Sequence, residues 1–236
     1  MCPAENYQLF SESNISELYS VGGWLIEMAT GEVINPDSFY SRPFSTIFPS
    51  PGSSTIRKDY VYNIQWKNFR PKRGGIIPYC TLNGVRYFNL GLYRRSADLT
   101  DFGGYIDYNH DEDALKGALR EFSEESLSVF GKIPRDVLNG SVAIYDIDMI
   151  LLFVDVTQLI DGKSMELIEQ EFCDRVARKR HKKNREIRAL TWVTEDSFRW
   201  LVDHEFATLN ILGTNLSMYC VVREFLHRAG DFYSML

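Results

Sequence analysis

A chain of 236 residues, 44% of them hydrophobic and with a net charge of −6, can bury a sizeable core and fits one generous domain or one domain with a terminal elaboration. Its four cysteines, Cys2, Cys80, Cys173 and Cys220, make no C-x-x-C pair and no zinc spacing, so a disulfide or zinc scaffold is excluded and reduced thiols in an intracellular protein are expected. No apolar run approaches the roughly 18 residues of a membrane span, and the opening M-C-P-A-E-N-Y-Q has neither the basic nor the apolar region of a signal peptide.

Taken in order, residues 1–70 read as a β-containing N-terminal extension packed on the core, and 71–236 as the main domain. Trp24 to Met28 and Val33-Ile34, on either side of Thr30-Gly31, have the look of a short hairpin. Residues 36–54 hold four prolines and several serines, an ordered loop or linker. Tyr60 to Trp66 alternates like a strand. From Ile76 to Thr81 and from Val85 to Tyr93, two strand-like runs flank Asn83-Gly84, a strong hairpin signal. Arg94, Arg95 and Ser96 follow, then Asp101-Phe102-Gly103-Gly104.

Ala114, Leu115, Ala118, Leu119 and Phe122 recur at three- and four-residue steps, which predicts an amphipathic helix. Off that stripe lie Glu121, Glu124 and Glu125, at i, i+3 and i+4, so three carboxylates crowd one patch of helix surface. Like charges at this spacing repel by roughly 0.2–0.5 kcal/mol per pair. Converging hard oxygen groups are what a divalent cation requires, and the cluster reads as a Mg²⁺ or Mn²⁺ site. A solvated acidic face would explain E-F-S-E-E taken by itself; the surrounding residues argue for the metal.

Those residues are Gly103-Gly104 before the helix, Glu112, a gap from Asp113 to Leu119, and Arg120-Glu121-Phe122-Ser123-Glu124-Glu125. In this pattern the chain resembles the Nudix hydrolases, whose signature is a glycine, a glutamate and, seven residues on, R-E-(apolar)-x-E-E. Two departures stand out. Seven residues separate Gly104 from Glu112 where the family has five, and Leu127 stands where the family closes with a glycine. Gly131 is expected to supply the helix cap instead, about one turn later.

Further on, Ser141 to Val156 predicts one long or two short buried strands, Ser164 to Ala177 a helix, Glu186 to Val193 a strand, and Leu216 to Arg228 a closing amphipathic helix. The resemblance, which covers Gly74 to Arg228 loosely, implies an α/β (α+β) fold of the Nudix type, a mixed sheet in an α/β/α sandwich. It implies a pyrophosphohydrolase with metal held by Glu121, Glu124, Glu125 and the Gly104 carbonyl. It implies a proton acceptor in Glu124 or in Glu186, which stands just ahead of a strand of the form E-I-x-x-(apolar)-x-W. Glu112 and Arg120 are expected to form the ion pair that steadies the carboxylates. Arg94 and Arg95 are candidates to clamp phosphate, against the plainer reading of strand-end surface arginines, and Tyr105 is a candidate to stack on a base.

Between Arg175 and Arg188 the chain carries eight Lys or Arg and one acid, a local +7, while the rest carries −13. A basic block that includes Lys182 and Lys183 suits a polyanionic substrate, or is a solvated helix end. The favoured substrate class is a nucleoside diphosphate linked to another moiety. Capped RNA, as in the mRNA-decapping subgroup, diphosphoinositol polyphosphates, and a Nudix fold used only for binding are the alternatives. No DNA or membrane partner is expected, and the expected compartment is the cytoplasm, with a nuclear import signal in the basic block as the alternative.

Overall fold

Met149 to Val154 are all buried, and the reason is their place in mid-sheet, where both faces are covered and a strand needs no polar alternation. The computed structural model describes residues 55–94, 96, 98–160, 162–178 and 186–236, with the backbone of 18–21, 24–27 and 32–34. The chain divides into two units, Met1–Ser54 and Thr55–Leu236. In the first, β1 (Leu18–Val21), β2 (Trp24–Glu27) and β3 (Glu32–Ile34) pair antiparallel in that order. Glu27 stands opposite Glu32, the hairpin expected around Thr30-Gly31. The proline-rich stretch 36–54 lies outside the described residues.

The second unit contains the main sheet: β4 (Arg57–Tyr60), β5 (Arg73–Leu82), β6 (Val85–Tyr93), β7 (Leu99–Thr100), β8 (Phe102–Tyr105), β9 (Val142–Tyr145), β10 (Met149–Asp155) and β11 (Ile187–Thr194). Its spine runs β11-β6-β5-β10-β9-β4, with β7 beside β6 and β8 beside β5. β5 and β10 are parallel, Arg73 opposite Met149, whereas β6, β8, β9 and β11 pair antiparallel with their neighbours. The sheet is therefore mixed. β5 and β6 close on Asn83 and Gly84, both at positive φ (52° and 77°), as a two-residue hairpin turn requires.

Period-two alternation sorts the sheet into two faces. Ile77, Phe88, Leu90 and Phe153 share a core with Phe198 and Leu201 of α4 (Glu195–Asp203) and Phe225 and Leu226 of α5 (Cys220–Ala229). On the opposite face lie α1 (Ala114–Glu125), packed on β5 and β8, and α3 (Met165–Arg178), packed on β11. There Phe102, Phe122, Phe130 and Trp192 meet ring to ring at 5.6 to 6.4 Å. A short α2 (Arg135–Gly140) precedes β9. The architecture is α+β, a mixed sheet between helices, as expected.

Four local expectations need correcting. The strand near residue 60 ends at Tyr60, and single 3₁₀ turns follow at Val61–Asn63 and Trp66–Asn68. The cause is Asp59, whose carboxylate accepts from the Tyr60 N–H and from Asn63 Nδ2 (2.8 and 2.6 Å) and bends the chain. This strand, placed in the extension from sequence, pairs with β9 in the main sheet. The closing helix starts at Cys220 rather than Leu216, because β12 (Leu209–Ile211) and β13 (Thr214–Leu216) form a hairpin ahead of it. Finally, α1 stops at Glu125. Leu127 and Ser128 adopt φ of 52° and 59° themselves, so the extra turn to Gly131 is not helical. Leu127, buried and accepting from Arg175 Nη1 through its carbonyl at 2.6 Å, is held there by packing that a glycine would lack.

Candidate active site

The site grows from a narrow meeting of strands. In the ladder between β5 and β8, Gly74 faces Gly104 and Gly75 faces Gly103. Asp101, with a side chain 0% exposed, lies against Gly75, where a Cβ would collide with its Oδ2. Arg73 donates to both Asp101 oxygens, at 2.9 and 2.6 Å, and Thr100 Oγ1 donates to Oδ1 at 3.0 Å. A bidentate, buried carboxylate–guanidinium pair of this kind needs all its partners, because a lone charge there costs several kcal/mol. It anchors β8, the strand that carries Gly104.

α1 lies across that strand. Its start is capped by Asp113, whose side chain accepts from Lys116 N at 2.9 Å. Ala114, Gly117, Ala118 and Phe122 are buried against the sheet, so the helix approaches closely and Glu121 is brought onto Gly104. Any Cβ on Gly104 would occupy the position of the Glu121 carboxylate. Burial raises the Glu121 pKa.

One turn on, Glu125 Oε2 accepts from the Ile187 backbone N–H at 3.2 Å. Burial, then the charge of Glu186, push its carboxyl up to about 7. Glu186 ends the approach to β11, and its carbonyl accepts from Arg94 N at 2.7 Å. The Glu124 side chain, 63% exposed, is on the solvent side of the same patch, 3.6 Å from Arg120 Nη1. Tertiary contact thus brings Gly104 of β8 and Glu186, the residue before β11, to the helix face that carries Glu121, Glu124 and Glu125.

Arg120 binds the cluster together, and not through Glu112. Its Nε and Nη2 donate to Asp111 at 3.0 and 2.9 Å, Nη1 donates to Glu121 Oε1 at 2.7 Å, and Nη2 also reaches the Tyr105 carbonyl at 3.0 Å. The hydrogen bonds from Arg120 hold the Asp111 pKa below the usual carboxylate range. Glu112 is exposed. The reason is the loop: Asp111 N donates to Asp107 O at 2.6 Å and Asp107 N donates to Asp111 Oδ2 at 2.9 Å, which turns Asp111 inward and leaves Glu112 outside.

The remaining sequence candidates are dispersed. Tyr105 is 70% exposed at the end of β8, beside Gly104. The Arg94 side chain is exposed. Arg95, Lys182 and Lys183 lie outside the described residues. Sequence reasoning missed Arg73, Asp101 and Asp111. Asp101 stands two residues before the glycine pair, which was a signal; Asp111 sits in an acidic run where any of three residues would have fitted.

Among the described residues, no three acidic, histidine or cysteine side chains are already converged as a coordination shell. Glu121 is turned to Arg120 and Glu125 to Ile187 N. The donor chemistry nonetheless fits a hard divalent ion: carboxylate oxygens within one helical turn, two of them with pKa values raised first of all by burial. No described helix is long and apolar enough to cross a membrane.

No family model matches the chain, and no curated protein matches it. Among solved structures, a C. elegans Ap4A hydrolase binary complex is similar at 15% identity over 71% of this chain and 100% of that one, with a TM-score of 0.38, a likeness too loose to bear on function.

Proposed function

We propose that the protein is a metal-dependent pyrophosphohydrolase of the Nudix type that cleaves the diphosphate linkage of a nucleoside diphosphate joined to another moiety. The observation that carries this reading is the placement of Glu121, Glu124 and Glu125 on one helix face, with Glu121 against Gly104 and Glu125 beside Glu186. Glu121, Glu124, Glu125 and the Gly104 carbonyl would hold Mg²⁺ or Mn²⁺, which offsets phosphate charge and activates water. Glu186 or Glu124 accepts the proton of the attacking water. Arg120, fixed by Asp111, orients Glu121.

The test is hydrolysis by the purified protein, with Mg²⁺ or Mn²⁺, of nucleotide sugars, dinucleotides, capped RNA and diphosphoinositols. Glu124→Gln and Glu125→Gln should each abolish turnover while leaving the melting temperature near wild type. Near-normal turnover by both variants would sink the assignment.

The basic block from Arg175 to Arg188 favours one second reading, cleavage of capped RNA. Each phosphate contact on a single strand adds about −0.7 to the log–log salt slope. Replacing Lys179, Arg180, Lys182 and Lys183 with Ala should then raise the KM for capped RNA and flatten its salt dependence, with little effect on a small nucleotide. An unaltered salt slope leaves the block a solvated face.

A further inference from the structure

Three side chains with polar atoms, far apart in sequence, are buried together beneath α3. Asn89 is 0% exposed, Trp192 6% and Glu169 4%. Phe88 and Leu90 belong to the α4/α5 core, as do Ala189 and Val193, so alternation turns Asn89 and Trp192 to the opposite face of the sheet. The two stand directly across the β6–β11 ladder from one another, with Cβ atoms about 5 Å apart. Asn89 leans towards β11, its Nδ2 donating to the Thr191 carbonyl at 3.3 Å. α3 packs on β11, and Glu169 lies on its buried stripe with Ile168, Phe172 and Cys173. The Glu169 carboxyl receives the Trp192 backbone N–H. One atom of each side chain, Asn89 Oδ1, Trp192 Nε1 and Glu169 Oε1, is shut off from solvent and has no hydrogen-bond partner among the described residues.

We infer that these three atoms enclose a binding site for one internal water molecule, which ties α3 to β11, the edge strand of the main sheet. Buried polar groups are seldom left unpaired, and those that no protein group reaches are met by ordered water, commonly through about three hydrogen bonds. The set here is the complement of one water. The Trp192 indole N–H donates to its oxygen, and its two hydrogens go to Asn89 Oδ1 and Glu169 Oε1. With a proton on Glu169 Oε1 the water accepts twice and donates once, and the set still closes. An ion would not satisfy it: the indole N–H repels a cation, and the two oxygens repel an anion. The inference does not rest on the proposed activity, although Glu186 directly precedes the strand that the water fastens.

The test is nuclear magnetic resonance of the full chain, isotope-labelled in its tryptophan indoles. The Trp192 indole signal is the one missing from Trp192→Phe. It should exchange magnetisation with water through space, with laboratory-frame and rotating-frame effects of opposite sign, the mark of a long-held water and not of proton exchange. Combining Asn89→Leu with Glu169→Met keeps the bulk and leaves the water a single partner, so the transfer should disappear. An indole without this transfer in wild type overturns the inference, and so does a transfer undiminished in the double variant. Should the double variant not fold, a crystal structure of wild type decides. A water within hydrogen-bond distance of all three atoms upholds the site, and three atoms without one overturn it.

Discussion

Arg120 grips Asp111, with Nε and Nη2 3.0 and 2.9 Å from its two oxygens, while the adjacent Glu112 faces solvent. The Asp111 side chain is 5% exposed, so its truncation leaves a charged guanidinium short of two hydrogen bonds. Asp111→Ala should cost about 1.5–3 kcal/mol, the range for hydrogen bonds to charged groups, and should lower metal-dependent turnover because Glu121 loses its brace. Glu112→Ala should stay within about 0.5 kcal/mol of wild type. Urea unfolding of both variants checks this; the reverse order would return the pairing to Glu112.

Gly75 and Gly104 tolerate a methyl group very differently. At Gly75 the added carbon meets the buried Asp101, which cannot leave Arg73 without stranding a charge. Gly75→Ala should destabilise by on the order of 3 kcal/mol or more. At Gly104 the obstacle is the end of the Glu121 side chain, which can swing aside. Gly104→Ala should therefore fold, with a melting temperature close to wild type, but lose most of its turnover. Full activity in that variant would remove Gly104 and Glu121 from a shared site.

Glu186→Gln separates the two candidate bases. Loss of a general base lowers kcat by roughly 10²–10⁴-fold, and single-turnover rates at saturating Mn²⁺ would show it. A change under about threefold, alongside an inactive Glu124→Gln, assigns the proton to Glu124.

Glu169 gives the fold a pH dependence away from the site. It is buried on α3, and burial above all raises its pKa to about 8. A carboxyl whose folded pKa exceeds its unfolded value of about 4.3 favours the fold fully below pH 4. That contribution is lost as pH rises towards 8, at up to about 1.4 kcal/mol per unit. Glu169→Gln removes the dependence, so its stability relative to wild type should improve between pH 5 and pH 8, by on the order of 3 kcal/mol. Parallel stability profiles for the two proteins would show that Glu169 ionises freely when folded.

Features that depend on neighbours a few residues apart are legible in the chain before it folds. The three carboxylates of α1 follow from 3.6-residue periodicity, the β5–β6 hairpin from Asn83-Gly84, and the central strand β10 from an unbroken apolar run. Folding assigns the roles within Asp111-Glu112-Asp113, where one residue grips Arg120, one meets solvent and one caps the helix. All three have the same charge and nearly the same reach, so a loop hydrogen bond to Asp107 makes the choice. The same holds for Glu125 with Ile187, 62 positions apart, for Arg73 with Asp101, and for Tyr93 with Tyr219. Leu127 belongs here too: its side chain argues against positive φ, and burial overrides that local preference. Pairings of this kind have no period and no turn chemistry to announce them, because they are set by which strands lie side by side.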